Sequence, residues 1–363
     1  MASSATETVT VAPVEAVAKQ VGTIRLNAQE KEEVDNGPLY PFYYPRFDIN
    51  EKFPPIEIFE FTEPGTRADP AKPNLLANAT VTDISPYIGT EVTGVQISQL
   101  TKEGLDELAL YTAERKVLLF RDQDFKDLSP ERQIEIARHF GPIHYHPTSG
   151  NVKGYPEFHI VHRDAKHDPI REYLGENTTI QTGWHSDVSY EKQPPGTTFF
   201  FILEQPDVGG DTIFVSQVEA YKRLSPEFQK LLEGLRAVHT AVAQAEYSHK
   251  KGHPVRRVPV ETEHPVVRVH PATGEKALFL NQGFTKNIVG FKHEESEWLL
   301  KFLFDHIAKG ADFQIRGTYR PGTVVVWDNR VTAHTATPDF GGTTRRHAVR
   351  LTPQAEVPIP ATA

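Results

Sequence analysis

Two histidines and an aspartate have the residue types and the spacing of a metal site. His185 and Asp187 are two positions apart, and residues so spaced on a β-strand point to the same face. A third candidate ligand, His334, follows much later, where the apolar run VVVWD leads into a polar turn. Two histidines and one carboxylate occupy one face of an iron(II) ion and leave its other coordination positions open. The pattern predicts a mononuclear iron centre that performs oxidative chemistry.

A second His-x-Asp triplet begins at His162 and competes for the same role. It opens the polar, irregular segment 163–180, which directly precedes His185 and is where a mobile lid is expected. We therefore interpret His162 as a surface histidine and assign the metal to the later triplet.

Two arginines near the C-terminus, Arg346 and Arg350, share one face of a predicted strand, whereas Arg345 faces away. They are about 13 Å apart, four residues at roughly 3.3 Å each. Inward-facing guanidinium groups are costly unless they meet anions. A dicarboxylate at one arginine and an anionic substrate at the other would satisfy both. The alternative is an ion-pair network with Asp or Glu.

Composition narrows the chemistry further. The 363 residues carry a formal charge of −9 and form no dense basic run, which argues against a nucleic-acid partner. Cysteine is absent, so thiolate nucleophiles and thiolate ligands are excluded, and a metal must use His, Asp or Glu. No apolar stretch reaches the roughly 18–20 residues of a membrane span, and the N-terminus lacks the features of a secretory signal. We expect a cytoplasmic protein without membrane partners.

The chain divides into an N-terminal extension and one domain. Residues 1–30 have the composition of a disordered tail, and 37–75 are rich in proline and aromatic residues, as expected of an extended arm packed on the body or on a neighbouring subunit. We therefore predict a flexible tail and arm over 1–75 and a single domain over 76–363.

Short strands and helices follow one another inside that domain. Helices are predicted over 103–116, 129–139 and 294–309, and a helix-rich insert is predicted over about 216–236. TTFFFILE and TIFVSQ are predicted to pair with each other across the turn QPDVGGD, and TVVVWD and HAVRLT end the chain as strands. The predicted fold class is α+β with a mainly β core, an antiparallel double-sheet barrel with helical inserts.

Several motifs, in order along the chain, give this domain a family resemblance. They are His185-Ser-Asp187, Gly209-Gly210-Asp211-Thr212, Trp327-Asp328-Asn329-Arg330-x-Thr-x-His334 and Arg346-x-x-x-Arg350. The series resembles taurine dioxygenase and its relatives, which are 2-oxoglutarate-dependent oxygenases with a double-stranded β-helix (jelly-roll) fold. The resemblance extends from about Val81 to Pro353. The arm before residue 75 lies outside it and is similar to that of fungal sulfonate dioxygenases in this family.

The resemblance implies a role for each matching residue. The iron ligands would be the two histidines and the aspartate described above. Arg346 would hold the distal carboxylate of the cosubstrate 2-oxoglutarate, assisted by the hydroxyl of Thr212, and Arg350 would bind the substrate sulfonate. The other residues of the substrate pocket would be His146, Phe284, Gln181, Val188 and Ser149.

The resemblance also implies a reaction. With Fe(II), 2-oxoglutarate and O2, the carbon next to sulfur in a small organosulfonate is hydroxylated, and sulfite, an aldehyde, succinate and carbon dioxide are released. Ser149 and Gln181 replace a tyrosine and an asparagine of the taurine-specific pattern, so taurine is not the expected preferred substrate. The same chemistry on an alkyl sulfate or small carboxylate is one alternative, and a metal-binding jelly-roll protein without turnover is another. The expected partners are a small anionic substrate and further copies of the chain in a homo-oligomer.

Overall fold

The computed structural model describes residues 39–164, 182–340 and 345–361, and its framework is a pair of β-sheets packed face to face. In chain order the strands are β1 (Thr80–Asp83), β2 (Thr90–Thr93), β3 (Val117–Phe120), β4 (His159–Arg163), β5 (Thr197–Glu204), β6 (Thr212–Ser216), β7 (Arg236–Thr240), β8 (Glu261–Pro265), β9 (Val267–Val269), β10 (Lys276–Leu278), β11 (Thr285–Ile288), β12 (Gln314–Gly317), β13 (Val324–Asp328), β14 (Thr332–Ala336), β15 (Arg346–Leu351) and β16 (Ile359–Pro360). The large sheet has the order β1-β2-β3-β13-β5-β15-β4, and the small sheet opposite it has the order β12-β6-β14.

The two faces of the large sheet bury different residues of the same strands. On β5, Phe199 and Phe201 belong to the core beneath the helices, whereas Phe200 packs with Phe214 of β6 between the two sheets. Side chains alternate along a strand, so a strand that is covered on both faces must be apolar throughout. All eight residues of β5 are buried. The predicted jelly-roll core is confirmed.

The predicted pairing of β5 with β6 is wrong. β5 lies between β13 and β15 in the large sheet, and β6 lies between β12 and β14 in the small one. Both edges of each strand are therefore occupied by other partners, and the segment 205–211 crosses from one sheet to the other. Turn residues between two apolar strands indicate that the chain reverses, but they do not show which sheet receives the second strand.

The α-helices occupy the predicted helical segments and two further ones, 73–76 and 242–250. They are α1 (Pro73–Leu76), α2 (Lys102–Arg115), α3 (Pro130–Arg138), α4 (Gln217–Lys222), α5 (Pro226–Glu233), α6 (Val242–Lys250) and α7 (His293–Lys309). The Ser129 side chain caps α3 by accepting a hydrogen bond from the Arg132 N–H, as predicted. The helix-rich insert at 216–236 consists of α4 and α5. Within the described ranges, no helix has both the length and the apolarity needed to cross a bilayer.

From Leu39 onward, the N-terminal segment lies along the body of the domain. The Leu39 N–H donates to Glu204 over 2.9 Å, and the buried Tyr43 hydroxyl donates to Gln133 over 3.0 Å. Further along, the Phe53 N–H donates to the carbonyl of Arg256. The predicted tail at 1–30 lies outside the described residues, and the division into 1–75 and 76–363 stays a prediction.

Candidate active site

His185, Asp187 and His334 come together at one end of the small sheet. Their ligand atoms all lie within 4.8 Å of one another. His334 is the central residue of β14, and it exchanges two backbone hydrogen bonds with His185, of 3.0 and 2.8 Å. Among the described residues, His185 forms only this isolated bridge, and the chain turns at Asp187 instead of continuing as the strand on which the prediction was based. The turn still brings the carboxylate to within 3.5 Å of the His185 Nε2.

The turn after Asp187 is strained and is held from several sides. Val188 has a φ of +39°, which is rare for a β-branched residue because its side chain then crowds the backbone. The Asn329 side chain accepts from the Asp187 N–H (2.8 Å) and donates to the Asp187 carbonyl (3.0 Å). The Ser186 hydroxyl donates to the Thr332 carbonyl over 2.7 Å. These contacts offset the strain and fix the position of the carboxylate.

The protonation states of the cluster suit a cation. The Gly183 carbonyl can only accept, so His185 donates to it through Nδ1–H over 2.7 Å. The Nε2 atom of His185 is then available to coordinate a metal ion. Burial and the neighbouring His185 lower the pKa of His334 to about 3, so that ring is neutral. Burial alone would raise the pKa of Asp187, but Arg350 and His334 outweigh it and hold this pKa well below its usual range.

These residues fit iron(II). The donor set is two imidazoles and one ionised carboxylate, which is the set that non-haem iron oxygenases use. The Asp187 Oδ2 atom is buried and has no hydrogen-bond partner among the described residues. A buried carboxylate oxygen without a partner is costly, and a bound cation would satisfy it.

A cavity of about 460 Å³ opens beside these three side chains, and Arg346 and Thr212 line it. The Arg346 Nε–H donates to the carbonyl of Gly210 over 2.6 Å. Gly210 has a φ of +68°, and a Cβ atom there would lie 3.1 Å from the Arg346 Cδ, so glycine allows this close approach. Arg345 lies 3.4 Å from Glu204 and does not line the cavity. The structure thus places Arg346 inward and Arg345 elsewhere, as the strand-face argument predicts.

Arg350 also lines the cavity, and both of its terminal nitrogens make contacts. Nη1 donates to the Asp187 Oδ1 over 2.5 Å, and Nη2 donates to the His159 Nδ1 over 2.7 Å. The alternative of an ion pair with Asp or Glu therefore describes part of the arrangement, since the carboxylate that pairs with Arg350 is the candidate iron ligand. A positive charge is fixed directly beside the metal position.

Most of the residues predicted for the substrate pocket belong to the same cavity. His146, Ser149, Val188 and Phe284 all line it. The Phe284 ring meets the His185 ring edge-on, with centroids 6.2 Å apart. Gln181 lies outside the described residues, as does nearly all of the segment predicted to be a lid.

The sequence interpretation missed strand β4. Its alternate residues His159, Val161 and Arg163 line the cavity, and so do Phe200, Gln244 and Tyr319 from other elements. His162 is not the surface histidine of a loop but a partly buried residue of β4 that meets His347 edge-on at 5.0 Å, and burial lowers its pKa to about 4. The segment HIVHR carries little strand signal in the sequence, because its polar and apolar residues do not alternate with period two.

A jelly roll that holds two histidines, an aspartate and inward-facing arginines in one cavity defines the class of protein, an iron-dependent oxygenase. The chain belongs to the taurine catabolism dioxygenase TauD, TfdA family, whose profile matches residues 80–352. The enzyme is therefore an iron(II)- and 2-oxoglutarate-dependent dioxygenase that uses O2.

Individual relatives agree with this class. The chain is 52% identical to the alpha-ketoglutarate-dependent dioxygenase cnsM of Penicillium expansum over 90% of this chain and 92% of the relative. It is 42% identical to the alpha-ketoglutarate-dependent sulfonate dioxygenase of Saccharomyces cerevisiae, over 93% and 81%. The crystal structure of a putative alpha-ketoglutarate-dependent taurine dioxygenase from Burkholderia xenovorans superposes with a TM-score of 0.64 at 31% identity, covering 78% of this chain and 94% of that one.

Proposed function

We propose that this enzyme hydroxylates the carbon next to sulfur in a small organosulfonate. The observation that carries the proposal is Arg350, a cavity-lining cation within 2.5 Å of the Asp187 carboxylate. An anionic head group bound by this guanidinium has its first carbon beside the metal ligands, so the oxidised position is set by the anchor. The yeast relative, named a sulfonate dioxygenase, supports a sulfonate as that anion.

The proposed reaction balances as follows. One atom of O2 enters 2-oxoglutarate, which loses carbon dioxide and becomes succinate, and the other becomes the hydroxyl group on the carbon bearing sulfur. The resulting 1-hydroxysulfonate breaks its carbon–sulfur bond, and the products are an aldehyde and sulfite. Bound iron supplies the site where O2 is activated; His185, Asp187 and His334 would hold it.

The other residues bind and orient the two organic molecules. Arg346 would pair with the distal carboxylate of 2-oxoglutarate, and Thr212, whose side chain interacts with Tyr319, would add a hydroxyl contact. The Arg346 guanidinium lies 5.6 Å from the centroid of the Phe200 ring, which excludes water from one side of it. His146, Phe284, Val188, Ser149 and Gln181 are proposed to contact the substrate.

Ser149 suggests a substrate longer than taurine. A serine where relatives specific for taurine carry tyrosine leaves room for additional methylene groups or a ring. Taurine would also bury its ammonium group in this end of the cavity at a cost, unless polar partners met it. We therefore propose a sulfonate of about four to six carbons, each buried methylene contributing about 0.8 kcal/mol. The cytosolic location and the homo-oligomer remain predictions.

The test is to incubate the enzyme with iron(II), 2-oxoglutarate, O2 and hexanesulfonate, hexyl sulfate or heptanoate in turn. The proposal predicts succinate with all productive substrates, and sulfite with the sulfonate. An alkyl sulfate oxidised at the same carbon would release sulfate instead, and a carboxylate would release neither. Succinate and sulfate from hexyl sulfate, without sulfite from hexanesulfonate, would replace the proposal by its alternative.

A further inference from the structure

A histidine that belongs to no motif lies directly opposite the proposed substrate arginine. β4 and β15 are antiparallel neighbours, and their register pairs His159 with Arg350. Residues directly opposite each other in such a pair have neighbouring side chains on one face. Here the contact is a hydrogen bond, because the Arg350 Nη2–H donates to the His159 Nδ1 over 2.7 Å.

This bond fixes the tautomer of His159. Arginine has only donors, so the Nδ1 atom of His159 must accept, and in a neutral imidazole the proton is then on Nε2. Burial, followed by the charge of Arg350, holds the pKa of His159 well below its usual range, which keeps the ring neutral. Among the described residues, the Nε2–H has no partner, while the ring lines the cavity.

His146 reaches the same state by another route. Its Nδ1 accepts from the backbone N–H groups of Thr148 (3.3 Å) and Ser149 (3.1 Å), so its proton is also on Nε2. Burial, with the nearby His159, keeps the pKa of this ring well below its usual range as well. The two rings lie side by side, with centroids 4.5 Å apart. Two neutral rings, each with its proton on Nε2, therefore lie side by side, and one of them accepts a hydrogen bond from Arg350.

Resting on the proposed function, we propose that His159 is a specificity-determining residue that selects an anion with three oxygens over one with two. Its Nδ1 orients Arg350, and its Nε2–H donates to an oxygen of the bound sulfonate. A planar carboxylate can satisfy both of its oxygens with one guanidinium. The three oxygens of a sulfonate point in three directions and need donors from more than one residue. Arg350, His159 and His146 supply them from three parts of the chain.

Two substitutions separate the two roles of this ring. In His159→Asn the amide oxygen takes the place of Nδ1 and can accept from Arg350, but the donor at the Nε2 position is lost. In His159→Gln the amide nitrogen takes the place of Nε2, and the acceptor for Arg350 is lost. His162→Asn is the matched control, because His162 is on the same strand but does not line the cavity.

Anaerobic calorimetry on the enzyme loaded with iron(II) and 2-oxoglutarate measures the affinities for hexanesulfonate and heptanoate, which share a six-carbon chain. We expect the wild type to favour the sulfonate. His159→Asn should weaken hexanesulfonate binding roughly 10- to 100-fold and heptanoate binding by less than about threefold, as for one lost hydrogen bond to a charged group. His159→Gln should weaken both anions similarly. His162→Asn should change neither, and the KM for 2-oxoglutarate should stay constant throughout.

Two results would overturn the inference: a wild type that binds heptanoate as tightly as hexanesulfonate, or an Asn variant that loses both anions equally. The first needs no variant, so the inference stays testable if His159→Asn does not fold. Turnover is read separately. A wild type that binds hexanesulfonate selectively but forms neither succinate nor sulfite contradicts the proposed function and leaves the role of His159 standing.

Discussion

The two ends of the cavity are built in different ways. At the proposed iron end, the candidate ligands are held from within the domain: His185 and His334 exchange backbone hydrogen bonds, and the Asn329 side chain holds the backbone of Asp187 on both sides. At the proposed substrate end, His146 and Ser149 lie on a loop that is held by contacts with distant segments. The Arg256 Nη1–H donates to the Ser149 carbonyl over 2.6 Å.

The N-terminal arm contributes contacts that hold the loop of His146 and Ser149. Arg256 pairs with Glu51 of the arm at 2.6 Å, and Arg46 and Asn151 exchange two backbone hydrogen bonds, of 2.9 and 3.2 Å. Glu51 and Arg46 precede residue 80, where the family match begins. The candidate iron ligands therefore lie within the family-matched region, whereas the loop that carries Ser149 is held partly by residues outside it. Relatives can therefore share the reaction and differ in substrate.

Loss of an iron ligand should have the largest effect. His185→Ala, Asp187→Ala and His334→Ala should each reduce succinate formation below detection, because two remaining ligands bind iron too weakly. Iron content after anaerobic loading gives a second readout. His162→Ala, in the other His-x-Asp triplet, is the control and should retain iron. Full activity in any ligand variant would remove that residue from the site.

Loss of Arg346 or of Arg350 should have the next largest effect on kinetics, and the two variants should differ in which substrate's KM they raise. Removing one partner of a buried charge pair typically costs about 2–5 kcal/mol, which is roughly 30- to several-thousand-fold. Arg346→Ala should raise the KM for 2-oxoglutarate by such a factor, while Arg345→Ala should not. Arg350→Ala should raise the KM for the sulfonate and leave the KM for 2-oxoglutarate nearly unchanged. Identical kinetic changes in the two alanine variants would contradict this division.

The length of the alkyl chain of the substrate tests the part of the cavity that Ser149 lines, separately from the iron site. Each added methylene that becomes buried should improve kcat/KM about fourfold, from about 0.8 kcal/mol per CH2. Hexanesulfonate should therefore be turned over better than taurine. Ser149→Tyr should reduce this preference, and Ser149→Ala should keep it. A wild-type preference for taurine would refute the enlarged pocket without touching the iron site.

Loss of the contact between Glu51 of the arm and Arg256 should have a smaller effect. Glu51→Gln removes the charge that holds Arg256, so the Ser149 loop loses part of its support. We expect the KM for the sulfonate to rise roughly threefold to tenfold, with iron affinity and the KM for 2-oxoglutarate unchanged. Glu57→Gln, an exposed position of the same arm, is the control. A change confined to the KM for 2-oxoglutarate would show that the contact between Glu51 and Arg256 supports the cosubstrate site and not the substrate pocket.

Acid should weaken the fold gradually. Burial lowers the pKa of His264 to about 4, and the ring hydrogen-bonds the Glu191 carbonyl near the substrate end. The folded state keeps this ring neutral, whereas the unfolded chain binds a proton below about pH 6.5. Stability should therefore be complete above pH 6.5 and fall as the pH decreases towards 4. The melting temperature of His264→Gln should depend less on pH in this window than that of the wild type.

The sequence could predict those residues of the site that belong to local patterns or family motifs, but not those that depend on strand register. His185, Asp187 and His334 were predictable from the family motifs, although the strand assumed over His185 and Asp187 is a turn. The strand face of Arg346 was predictable because side chains alternate along a strand. His159 was not, since its importance arises only from the register of β4 against β15, which no local pattern contains. The pairing of β5 and β6 failed for the same reason: hydrophobic alternation identifies strands, but long-range partners are set by the packing of the whole barrel.

The most direct test of the account is the stoichiometry of the wild-type reaction. Enzyme with iron(II), 2-oxoglutarate and hexanesulfonate in aerated buffer should form succinate and sulfite in equal amounts, and the iron-ligand variant His334→Ala should form neither. Succinate without sulfite would show that the sulfonate is not oxidised at the carbon next to sulfur. Sulfite formed by the enzyme without iron or 2-oxoglutarate would contradict the proposal that the sulfonate is oxidised by an iron- and 2-oxoglutarate-dependent reaction.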